Sequence, residues 1–144
     1  MGTISEHFDY REFEESETAK KHRISNTINT FEVRDAVKEL VVTVLQPLRS
    51  MINREGHVNS GYRCKALNDL IPNSSTTSQH MKGEAADMDF KGVRPIDVAR
   101  VAVKLDLPFD QIIVYPTFCH ISHKKGGPQR KKVLYNKSYT GPKL

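Results

Sequence analysis

The chain has 144 residues, 38% of them apolar and 27% charged, with a formal net charge of +5. That length suits one domain with a real hydrophobic core, and no apolar run approaches the roughly 20 residues of a membrane span. Two cysteines, Cys64 and Cys119, are too few for a disulfide framework or a thiolate zinc cluster and read as reduced packing residues.

The start, "MGTISEHFDYREFEESET", carries neither a basic nor an apolar segment, so a chain made in the cytoplasm without a signal peptide is expected. A Met-Gly start would invite myristoylation only with Ser or Thr at position 6, where Glu6 stands. The stretch "REFEESETAKKHRIS" is polar enough to read as a solvated helix or loop. From Phe31 to Ile52 the residues Ala36, Val37, Leu40, Val41, Val44, Leu45, Leu48 and Ile52 recur at helical spacing and predict the main helix. Asn29 with Glu32 resembles a capping box at its start, and Pro47 is expected to kink or end it near its last turn.

"HVNS" and "AADMDF" then read as short strands. Pro95, at a first-turn position, opens a second helix through Val98, Val101, Ala102 and Leu105 that Pro108 stops. "QIIV" and "FCHIS" are further strands. The order predicts a single α+β domain with a small antiparallel sheet flanked by helices. From about residue 124 the tail "HKKGGPQRKKVLYNKSYTGPKL" holds six lysines and one arginine without an acid. Such a patch attracts any polyanion weakly and in a salt-sensitive way, and no aromatic interleaving or reader motif accompanies it, so no specific nucleic-acid partner is expected.

The chemistry-bearing stretch is "SQHMKGEAADMD", Ser78 to Asp89. His80 and Asp87, with Gly83 between them, are spaced for a turn feeding a strand. Alternation along "AADMDF" puts Ala85, Asp87 and Asp89 on one face and Ala86, Met88 and Phe90 on the other, which reads as core. Taken alone this pattern fits a metal site, a carboxylate pair or an ordinary turn. In "FCHISH" Phe118, His120 and Ser122 share a face, and an unpaired His120 would be costly to bury there. His80, Asp87 and His120 together form a two-histidine, one-carboxylate set suited to zinc, with a fourth position left for water.

"SGYRCKALN" (Ser60 to Asn68), "SQHMKGEAAD" (Ser78 to Asp87) and "HIS" (His120 to Ser122) occur in that order and together resemble the zinc D-alanyl-D-alanine carboxypeptidase family and its phage-lysin relatives. "FDYREFEESETA" and "VLQPLR" are similar to its phage and bacteroidete branch. The resemblance implies a hedgehog/DD-peptidase-like fold and one zinc ion held by His80, Asp87 and His120. Arg63 would grip a peptide carboxylate or developing oxyanion, and Ser78 would orient substrate or the ligand histidine. Without the family, Arg63 reads as a surface arginine anchoring a loop.

The implied activity is hydrolysis of a peptidoglycan stem or cross-link peptide, by a D,D-carboxypeptidase or endopeptidase acting as a monomer that reaches the wall by a phage or prophage lysin route. The family places a carboxylate just upstream of the third ligand, but "QIIVYPTFCH" contains no Asp or Glu. Tyr115 is the first candidate for that place and Asp89 the second; Glu84, Asp110, His57 and His123 fit it less well. A catalytically inactive zinc domain that binds cell-wall peptide or protein is the alternative that this departure keeps open.

Overall fold

In the computed structural model, which describes residues 2–72 and 74–144, the N-terminal segment folds back on itself before any long helix begins. Thr3–Ser5 (β1) pairs antiparallel with Phe8–Asp9 (β2), and Asp9 caps the helix Tyr10–Glu14 (α1) through a reciprocal capping box with Glu12. Ser16 then caps Glu17–Lys21 (α2) by accepting from the Ala19 N–H. The polar composition here predicts a solvated segment, and Glu15, Glu17, Lys20 and Lys21 are exposed, but Phe13 is fully buried and Tyr10 and Ala19 nearly so. Three apolar side chains are enough to pin the segment to the core.

Thr30, one residue later than the predicted box, caps Phe31–Leu40 (α3) by accepting from the Val33 N–H. A π-helical turn over Val41–Leu45 follows, then Gln46–Ile52 (α4). In this turn the Gln46 N–H reaches the Val41 carbonyl, one residue beyond the α-helical partner. Pro47 has no N–H to give and its ring needs room, and the widened turn supplies that room without ending the rod. Val37, Leu40, Val41, Val44, Leu45 and Leu48 have no solvent exposure. Full burial of each large aliphatic side chain contributes about 1.5–3 kcal/mol, so this stripe dominates the core.

Next come Gly56–Ser60 (β3), the short helix Lys65–Leu70 (α5), a 3-10 turn at Gln79–Lys82, Ala85–Phe90 (β4), Pro95–Lys104 (α6), Gln111–Val114 (β5), Cys119–Ser122 (β6) and Lys132–Tyr135 (β7). The last five strands form one sheet in the order β3-β4-β6-β5-β7. All neighbours run antiparallel except β5 and β7, which are parallel. The fold is α+β, as the pattern predicts. The basic tail adds the parallel edge strand, and its charges do find acids: Arg130 pairs with Asp110, Lys131 with Asp106, and Lys125 with Asp35. These partners are distant in sequence, which is why the tail looks unpaired there.

One sheet face meets the helices through Ala86, Met88, Phe90, Ile112, Val114, Cys119 and Ile121, all buried. Cys119 is a packing residue whose thiol burial pushes up to about 12. The opposite face of the two central strands carries Asp87 and His120.

Candidate metal centre

Strand register brings the first two groups together. Asp87 of β4 and His120 of β6 are direct cross-strand partners, with His120 Nδ1 3.0 Å from Asp87 Oδ1. His80 arrives from the 3-10 turn, whose first backbone N–H groups Ser78 caps by accepting from the His80 N–H at 3.1 Å. Gly83 follows at φ +75°, and a Cβ there would lie 2.7 Å from the Val33 carbonyl, so glycine lets the turn close against α3. His80 Nε2 stands 3.4 Å from Asp87 Oδ1, and the two imidazole centroids are 5.1 Å apart.

One ligand atom from each of His80, Asp87 and His120 lies within 4.8 Å of the others. Among the described residues this is the one such group of three. The donor chemistry fits a zinc ion. His80 is 2% exposed, and its Nδ1 faces the Gly61 carbonyl at 2.7 Å. A carbonyl can only accept, so Nδ1 carries the proton and Nε2 offers a lone pair. Burial lowers the His80 pKa below its ordinary value, against the pull of Asp87. A neutral Nε2 lone pair thus faces a carboxylate oxygen, an arrangement that a shared cation relieves. Gly61 cannot be replaced freely, because a Cβ there would stand 2.7 Å from the Phe13 Cα.

Burial alone would raise the Asp87 carboxyl, but the hydrogen bond from His120 holds it well below the usual carboxylate range. Two imidazoles and one carboxylate match zinc's ligand preferences, and the carbonyl behind His80 is the outer partner that fixes its tautomer.

Beside the cluster lies a cleft of about 330 Å³ lined by Glu15, Glu17, Asn59, Tyr62, Arg63 and Asp87, among others. Arg63 donates its backbone N–H to the His80 carbonyl at 3.1 Å and its Nη1 to Asn68 Oδ1 at 3.3 Å. Its Nε is buried and has no hydrogen-bond partner among the described residues. Burial lowers the Arg63 pKa, while Asp87 and then Tyr115 oppose that shift through their charge. Tyr115 is half-buried, with its ring stacked on Phe118 at a centroid distance of 4.3 Å. Burial and then the Asp87 charge push its phenol upward, with Arg63 opposing, so it holds its proton at neutral pH.

Asp89 shares the strand face of Asp87 but is exposed, 3.9 Å from His57 Nδ1 and outside the three-residue cluster. Sequence reasoning missed Gly61, Asn68 and the acids Glu15 and Glu17. Asn68 is 1% exposed and holds both Arg63 and the Ser75 carbonyl. A polar residue in a helix as short as α5 gives no signal of such a role.

No helix is long and apolar enough to cross a membrane among the described residues. No curated protein matches the chain. Residues 6–122 match the family model described as Peptidase M15, and that span includes the whole cluster, Arg63 and Tyr115. The chain belongs to the Peptidase M15 family, the zinc metallopeptidases that include the D-alanyl-D-alanine carboxypeptidases.

Proposed function

We propose that the chain is a zinc-dependent peptidoglycan peptidase, a D,D-carboxypeptidase or endopeptidase of lysin type that hydrolyses a stem or cross-link peptide bond. The observation that carries this reading is the convergence of His80, Asp87 and His120 beside a cleft that also contains Arg63. A zinc ion bound by these three side chains would supply Lewis acidity, lowering the pKa of water to about 7 and polarising a scissile carbonyl. Arg63 binds a peptide carboxylate or carbonyl oxygen through its guanidinium, whose Nε has no hydrogen-bond partner among the described residues. Tyr115, protonated at neutral pH, donates its O–H to a substrate oxygen that gains negative charge. This makes it a donor rather than the proton acceptor, while Asp89 is exposed and lies outside the three-residue cluster. Ser78 acts through the turn, holding His80 in place.

A second reading rests on one specific observation: segment 111–119 has no Asp or Glu. A domain that binds wall peptides without cutting them would tolerate that gap. Incubating zinc-loaded protein with purified peptidoglycan and reading the fragments by mass separates the two. Released D-alanine or split cross-links support the peptidase. Binding of fragments without cleavage at any pH or metal tried replaces it with the binding domain.

A further inference from the structure

The turn that presents His80 is held from behind by two buried carboxylates, and both depend on a segment outside the family match. Gln79, adjacent to His80, has one side-chain amide nitrogen with two protons to donate. That nitrogen lies 3.4 Å from Glu84 Oε1 and 3.4 Å from Asp110 Oδ2. Glu84 is 8% exposed and Asp110 1%. The Glu84 N–H also donates to the Gln79 carbonyl at 2.9 Å, so Glu84 grips Gln79 at both backbone and side chain.

Two buried carboxylates flanking one amide repel each other and need further partners. The chain after β6 provides them. The His123 N–H donates to the Glu84 carbonyl at 2.9 Å and the Lys125 N–H to Glu84 Oε2 at 3.0 Å. Arg130 gives Asp110 three donors, its backbone N–H at 2.8 Å, Nε at 3.1 Å and Nη2 at 2.7 Å. Pairing of β7 with β5 anchors the far end of the segment.

We propose that segment 123–130, which lies beyond the matched residues 6–122, is a positioning element of the metal centre, with Gln79 and Arg130 as its positioning residues. Arg130 lets Asp110 remain ionised beside Glu84, the two carboxylates fix Gln79, and Gln79 fixes the backbone that aims His80 at Asp87. This inference rests on the metal reading above. Without the Arg130 side chain the buried Asp110 loses its cationic partner and the Nε and Nη2 donors, and the turn loses its fixed support.

Zinc affinity by chelator competition and the visible spectrum of the cobalt-substituted protein, recorded on the full chain, test it. Arg130→Ala and Gln79→Ala should each weaken zinc binding about tenfold or more and alter the cobalt bands, the size expected for an outer-sphere support. Arg130→Lys, which keeps the charge but not the fork, should recover part of the loss, and Lys137→Ala should match wild type. If Arg130→Ala fails to fold by circular dichroism, Gln79→Ala decides. Wild-type affinity and cobalt spectrum in the folded alanine variants would overturn the inference while leaving the metal site intact. A wild-type chain that binds no zinc would remove the metal reading and this inference together.

Discussion

At the residue scale, Arg63 and Tyr115 separate substrate chemistry from metal binding, because neither belongs to the ligand cluster. Arg63→Ala should keep its zinc and lose about tenfold to a hundredfold in kcat/KM, the range of one hydrogen-bonded charge pair. Arg63→Lys should lose activity too, since an ammonium cannot reproduce a planar fork. Wild-type kinetics in Arg63→Ala would leave this residue as an anchor of Asn68 alone. Tyr115→Phe removes one hydroxyl and retains the stack on Phe118. Turnover should fall about tenfold or more at unchanged zinc content. Full activity in that variant, with Asp89→Asn inactive and still holding zinc, would move the essential chemistry to Asp89. Asp87 and His120 are legible in the sequence because strand alternation aims them, and His80 because its spacing from Asp87 across Gly83 suits a turn feeding that strand. Gly61, Gln79 and Glu84 are not, since their roles lie in contacts made only when distant segments meet.

At the element scale, α1 shows how little sequence signal a structural anchor needs. Phe13 is fully buried, its carbonyl accepts the Tyr62 N–H at 2.8 Å, and its Cα sets the limit on Gly61. Phe13→Ala should cost about 3–5 kcal/mol, read by urea unfolding. It should also weaken zinc binding, because Gly61 holds His80. A stability loss below about 1 kcal/mol would mean that α1 only covers the surface. The main helix is readable because its apolar stripe repeats over many turns. Strand β7 is not: two lysines precede "VLY", and as an edge strand it alternates between exposed and half-buried positions without a strong apolar signal.

At the scale of the whole molecule, the basic tail and the acids it meets make stability depend on pH. Hydrogen bonds and charge from Arg130 hold the Asp110 carboxyl below its ordinary value. The unfolded carboxyl titrates near about 3.9, so this contribution is complete above that pH and disappears as pH falls through the lower folded value. The stability gap between wild type and Asp110→Asn, followed by urea unfolding, should therefore be widest above about pH 5 and close toward about pH 2. A gap that stays constant across that range would separate Asp110 from the acid response.

Zinc content per chain tests the centre itself most directly. Purified protein reconstituted with zinc and freed of excess metal should hold one ion, and the His80→Ala, His120→Ala double variant, folded by circular dichroism, should hold almost none. Near-zero zinc in the wild-type chain, or an undiminished ion in the double variant, would contradict a metal centre built from His80, Asp87 and His120.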